Sequence, residues 1–148
     1  MPLVSGQIGL TGPVTDLMVG VSSHRAKLLR ARCLRVPEPF ALRVLIDTGA
    51  TVSGFSSEVF DALGLQPVSR KGVYTSASAQ GELHQADFFD VSISLVAGGR
   101  PVYFGDLQAM AADCWMPGEG VQGLIGWDIL NRCFFECRGP DRVFLLAF

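Results

Sequence analysis

Residues Val44 to Ala50, reading Val-Leu-Ile-Asp-Thr-Gly-Ala, restrict this chain more than any other stretch. A β-prone apolar run ends in one carboxylate, Asp47, and passes at once into a turn of small residues. In the strand predicted over Phe40 to Ile46, Leu42, Val44 and Ile46 fall on one face and Leu45 on the other. Both faces are then partly buried, and Asp47 stands near the core. A buried carboxylate is costly unless it is hydrogen-bonded, paired or protonated. Asp47 therefore needs local partners or a chemical task.

With 148 residues and a mass of 15.9 kDa the chain suits one domain, taken as residues 1–148 with a helical insertion at 22–39. It is 49% hydrophobic and 18% charged with a mean hydropathy of +0.34, more apolar than one small domain readily hides, so self-association is expected. A net charge of −2 gives no general attraction to nucleic acid or anionic membranes, and neither is an expected partner. No run approaches the roughly 18 apolar residues of a membrane span. The first residues, Met1 to Gly6, lack the basic start and apolar centre of a secretion signal, so a cytoplasmic location is expected. In that compartment Cys33, Cys114, Cys133 and Cys137 stay reduced, and they are expected to be small buried apolar residues.

Along the chain, Ile8 to Val21 reads as two short strands around a turn, the better one spanning Asp16 to Val21. Ser22 or Ser23 then caps a helix with Ala26, Leu29 and Cys33 on one face, stopped by Pro37 and Pro39. This segment holds Arg25, Lys27, Arg30, Arg32 and Arg35, which form either a solvated face or a dock for an acidic partner. Ser56 to Leu63 is a short helix ended by Gly64. Val73 to Gly81 is uncharged and rich in small residues, as suits a hairpin tip. Asp87 to Val96 alternates as a strand and turns at Gly98-Gly99 into Pro101 to Phe104, with Leu107 to Met110 as a separate candidate strand. Ala111 to Gly120 is a loop. Gly123 to Gly126 opens a helix at Trp127 to Leu130, and strands at Cys133 to Glu136 and Arg142 to Phe148 close the chain.

Several chemistries lack their residues. Gly118-x-Gly120-x-x-Gly123 matches a dinucleotide fingerprint in letters, but no strand feeds it and too little chain follows for a βαβ unit. There is no phosphate-binding loop with lysine, no His-Glu-x-x-His and no nucleophile elbow. His24 and His84 are the only histidines, which leaves little for a triad or zinc site. Cys133 and Cys137 flank Phe135 on one strand face, an arrangement for packing rather than tetrahedral metal binding. Neither a metal nor a cofactor is expected.

What remains is ordered: apolar strand, Asp47-Thr48-Gly49-Ala50, helix, hairpin, Leu124-Ile125-Gly126, helix and closing strand. Over about Asp16 to Phe148 this resembles the single-lobe aspartic proteases of the retropepsin kind, in particular the bacterial retropepsin-like proteins. The resemblance implies a mainly β fold, a closed β-barrel of the acid protease type with a few short helices and one lobe per chain. It also implies a homodimer in which Asp47 from each subunit meets on one lytic water. Thr48 would then hydrogen-bond across the dimer beneath the aspartates, and Gly49 would admit substrate backbone. Ala50, Thr75, Ser76, Ala77 and Ser78 would line an extended peptide, the last four on a flap over Tyr74 to Gly81.

The chain departs from the pattern in three places. Ala50 stands where pepsin-like enzymes have a serine that stabilises a carboxylate, so a less acidic activity optimum than theirs is expected. Retroviral members commonly pair an acid at the position of Thr51 with an arginine at that of Trp127, and both are missing. The flap has one glycine, Gly81, and the 22–39 excursion exceeds a usual turn. Three readings stay open: an aspartic endopeptidase, an idle domain of the same fold that binds extended peptides or mediates assembly, and a β-domain in which Asp47 only caps a turn. For an endopeptidase, cleft walls from Ala50, Thr51, the flap and the loop before Gly123 favour apolar side chains around the scissile bond.

Overall fold

The computed structural model describes residues 1–75, 78, 81–113 and 120–148. Strands β1 (Leu3–Gly9) and β2 (Gly12–Val21) form a hairpin, and α1 (Ser23–Ala31) leads to β3 (Phe40–Ile46). Next come β4 (Gly54–Phe55), α2 (Ser57–Ala62), β5 (Ser69–Val73), β6 (His84–Ala97) and β7 (Arg100–Ala111). The chain ends with β8 (Val121–Ile125), α3 (Trp127–Leu130), β9 (Phe134–Arg138) and β10 (Val143–Ala147).

Six strands close on themselves. The order β2-β3-β8-β4-β7-β6 returns to its start because β6 also pairs with β2, Val19 opposite Ile93. Inward alternation explains the closure: Leu17, Val19, Val44, Val91, Ile93 and Leu95 are fully buried on three neighbouring strands. Each such side chain contributes about 1.5–3 kcal/mol by leaving water. β5 extends β6 outward, and β1, β10 and β9 form an antiparallel flank with β9 at its edge. The architecture is mainly β, with a closed barrel and three short helices among the described residues.

β3 occupies the predicted span, with Leu42, Val44 and Ile46 buried. Several other expectations are corrected. The 22–39 insertion is helical only from Ser23 to Ala31, because the chain turns at Cys33 with φ +55 before reaching Pro37. Cys33 therefore leaves the face it was expected to share with Ala26, and in α1 only Ala26 is buried. Cys137, on the edge strand β9, is also exposed and Cys133 is half-buried, so these three free thiols are not core residues. Cys114 lies outside the described residues.

Pro101–Phe104 and Leu107–Met110 belong to one strand, β7, interrupted by a bulge. Ile93 faces Gly105 and Ser94 faces Tyr103, leaving Phe104 as the extra residue. Gly105 has φ +157, and a Cβ there would stand 3.0 Å from the Arg132 guanidinium. That guanidinium donates to the Phe104 carbonyl at 3.0 Å and stacks 4.2 Å from its ring. Gly123-Leu124-Ile125, read as the opening of a helix, is instead most of strand β8.

Candidate active site

β3 and β8 run parallel, with Ile46 beside Ile125, so both strands deliver their C-terminal ends to one rim of the barrel. Beyond β3 stands Asp47, whose N–H donates to the Ile125 carbonyl at 3.0 Å. The chain then folds over itself: Ala50 N–H reaches the Asp47 carbonyl at 3.2 Å, and Gly49 N–H donates to Asp47 Oδ1 at 2.8 Å. A backbone donor on an ionised oxygen is a charge-assisted bond, roughly twice as strong as a neutral one. Asp47 is half-buried rather than enclosed, and Thr48 and Gly49 are exposed beside it. Local hydrogen bonding and partial solvent access thus answer much of the burial cost within one chain.

α3 fastens the turn from the β8 side. Trp127 gives its backbone N–H to Ala50 O at 3.0 Å and its indole Nε1–H to Thr48 O at 2.7 Å. Asp128 N–H donates to Thr51 O at 3.2 Å. Below it Ser53, fully buried, donates its hydroxyl to Asp128 Oδ1 at 2.6 Å and accepts the Gly126 N–H at 3.0 Å. The other Asp128 oxygen takes the Ser53 N–H at 2.8 Å. Gly126 has to lack a side chain, since a Cβ would lie 2.7 Å from Ala50 O. Asp47 is therefore displayed on a turn held at Thr48, Ala50, Thr51 and Ser53.

Of the remaining predicted site residues, Thr75 and Ser78 close a small turn: Thr75 N–H donates to Ser78 Oγ at 3.0 Å and Ser78 N–H to Thr75 O at 2.9 Å. Ser76 and Ala77 lie outside the described residues. Ser53 and Asp128 escaped sequence reasoning. Their one signal is a serine inside Val52-Ser53-Gly54-Phe55, where a polar residue in an apolar stretch asks for a buried partner. An open cleft of about 250 Å³ lined by Ser22, His24, Asp90, Asp106, Leu107 and Gln108 shares none of these residues. Asp106 in that cleft is engaged in capping α1, accepting both the backbone N–H and the hydroxyl of Ser23. Among the described residues no three His, Cys, Asp or Glu side chains gather as a metal site.

The sequence profile of the family described as aspartyl protease matches residues 38–129, from before β3 into α3. The chain belongs to the aspartyl protease family. Comparison with curated proteins by sequence finds no match. Among solved structures it resembles a retropepsin-like aspartic protease from Rickettsia conorii, at TM-score 0.55 and 18% identity, covering 99% of this chain and 90% of that one. It is also matched to EIAV protease complexed with the inhibitor HBY-793, at TM-score 0.39 and 17% identity over 81% of this chain and 86% of that one, a likeness too slight to argue from. The fold is retropepsin-like.

Proposed function

We propose that this chain is an aspartic endopeptidase that works as a homodimer, with Asp47 of each subunit forming the catalytic pair. The observation that carries this reading is Asp47 itself, a half-buried carboxylate at the barrel rim with one oxygen held by Gly49 N–H. One carboxylate is half of the chemistry. Two such groups about 3 Å apart share a proton, because both cannot ionise at that distance. The ionised member takes a proton from water, whose oxygen attacks the peptide carbonyl. The protonated member hydrogen-bonds the carbonyl oxygen and then gives its proton to the leaving amine.

In this reading Thr48 bonds across the dimer beneath the pair, Gly49 admits the substrate backbone, and Ala50 contributes to the cleft wall. The hairpin tip with Thr75, Ser76, Ala77 and Ser78 is the flap, adding backbone hydrogen bonds to an extended peptide. Exposed apolar side chains at the start of α3 and of β9 favour a partner copy: Trp127 is 43% and Phe134 62% exposed. Residues 1–148 act as one such domain. Free thiols at Cys33, Cys133 and Cys137 suit a reducing, cytoplasmic setting, and no helix among the described residues is long and apolar enough to cross a membrane.

A peptide library cleaved by the wild-type chain and analysed by mass spectrometry tests the proposal. Cleavage is expected to vanish in Asp47→Asn while sedimentation shows an unchanged dimer. A wild type that cuts nothing between about pH 3 and 8, the range over which such a pair changes protonation, leaves the idle peptide-binding domain instead. Cleavage that survives in Asp47→Asn removes Asp47 from the chemistry.

A further inference from the structure

The net charge of −2 hides a strong segregation. Residues 23–37 hold five of the twelve Lys and Arg and none of the fourteen Asp and Glu, so this segment carries +5 while the rest of the chain carries −7. We propose that α1 and the residues after it are a docking surface for an anionic phospholipid bilayer, which they meet edge-on without insertion of a membrane-spanning segment.

The cations are presented to solvent. Arg25, Lys27, Arg30, Arg32 and Arg35 are all exposed, and none of them takes part in the ion pairs of the described residues. Interleaved with them are two exposed leucines, Leu28 at 47% and Leu34 at 54%. Ala26 is the buried residue that seats α1 on the barrel, and Leu28, two positions on and therefore about 200° round the helix, points away from that seat. The polar tethers are at the helix start, where Asp106 accepts from Ser23 and Arg25 Nη2 donates to the Gly64 carbonyl at 3.5 Å. By the same rotation Arg30 lies about 40° from Ala26, so the outward side carries Lys27, Leu28 and Arg32, followed in the chain by exposed Leu34 and Arg35.

That mixture selects the partner. A bilayer with acidic headgroups takes the cations at phosphate level and the leucines at the acyl boundary, and each Lys or Arg near such a surface strengthens binding by about fivefold. An acidic peptide held by charge gains nothing from exposed leucines, and single-stranded nucleic acid stacks on aromatic rings, of which residues 23–37 offer only the His24 imidazole. The location also fits. The excursion leaves the barrel after Val21 and returns at Phe40, at the opposite end of β3 from Asp47, about 23 Å away along an extended strand. A chain docked through this surface keeps the Asp47 rim directed away from the lipid.

The inference stands apart from proteolysis, so it is tested on both wild type and Asp47→Asn by co-sedimentation with vesicles. Both are expected to partition onto phosphatidylcholine vesicles doped with phosphatidylglycerol about tenfold or more above pure phosphatidylcholine, and to be released by added salt. Arg32→Glu/Arg35→Glu should lower anionic binding about tenfold or more, whereas Arg100→Glu/Arg142→Glu, the same charge change elsewhere, should lower it far less. Leu28→Ser/Leu34→Ser should weaken binding at unchanged charge. Equal partition onto neutral and anionic vesicles, equal loss in the two charge variants, or no effect of the leucine pair overturns the proposal. So does a chain that ignores vesicles but shifts RNA or poly-glutamate in a salt-sensitive way.

Discussion

The indole Nε1 of Trp127 donates to the carbonyl oxygen of Thr48 at 2.7 Å, tying the residue that follows the candidate catalytic carboxylate to the first residue of α3. The retropepsin resemblance leads one to look for an arginine at this position. The tryptophan supplies a donor of its own, and it does so within one chain while much of its ring remains exposed. Trp127→Phe keeps the ring and deletes the donor. It should cost about 1 kcal/mol of stability, read as a drop of about 3–5 °C in Tm. In the endopeptidase reading, kcat should fall several-fold with KM nearly unchanged, because the turn under Asp47 loosens while the cleft walls stay. A variant with wild-type kcat would show that the backbone bond from Trp127 to Ala50 is sufficient.

Ser53 is the buried knot of the same assembly. Its hydroxyl bonds both Asp128 and the Gly126 N–H, so Ser53→Ala removes two contacts at once, leaving Asp128 Oδ1 with the Ile129 N–H alone and taking the acceptor from the Gly126 N–H. Losing a hydrogen bond to a charged group costs about 1.5–3 kcal/mol. The expected loss for the variant is about 3 kcal/mol, seen as a lower urea midpoint with an unchanged slope. A changed slope would instead indicate a loosened native barrel.

How much of this was readable in the sequence depends on whether the cause is local. β3 was legible because alternation at Leu42, Val44 and Ile46 reports burial of one face of a single strand. β8 was not, since Val121-Gln-Gly-Leu-Ile125 becomes a strand by lying between β3 and β4, pairing parallel with one and antiparallel with the other. β4, two residues long, likewise exists only by lying between β7 and β8. The spacing of Cys33 from Ala26 fits a buried helix face, but the helix ends at Ala31. The Trp127 donor left no sequence trace either, as its acceptor lies 79 residues away in the chain.

Glycines around the site should separate into two groups when replaced by alanine. At Gly126 a Cβ meets the Ala50 carbonyl oxygen at 2.7 Å, and at Gly123 it meets Gly54 O at 2.6 Å; in both cases the obstacle is backbone, which cannot rotate aside. At Gly98 the Cβ meets nothing, and the cost is that of holding alanine at φ +58, about 1 kcal/mol. Gly98→Ala should therefore give a folded barrel with a modestly lower Tm. Gly126→Ala should lose several kcal/mol, and its peptide cleavage should fall even where the protein still folds, because the displaced carbonyl belongs to the turn that presents Asp47. Equal Tm values for the two variants would contradict this account.

The thiols offer a check on the fold that needs no activity. Burial pushes the Cys133 thiol up, with the Arg132 charge opposing it, and its S–H is directed at the Ile129 carbonyl at 3.4 Å. Burial also raises Cys137, while Cys33 is exposed on its turn. Thiolate is the reactive form, so a raised value means slower alkylation at a given pH. In a Cys114→Ser background, iodoacetamide should modify Cys33 first, Cys137 next and Cys133 last, with peptide mapping giving the order. The same shift sets a sign for stability. A folded thiol that holds its proton more tightly than the unfolded one contributes fully below about pH 8.5, the unfolded value, and loses that contribution as pH rises through the folded one. Urea midpoints should accordingly decline above about pH 8.5, and Cys133→Ser, which keeps a donor for Ile129 but does not ionise there, should flatten the decline.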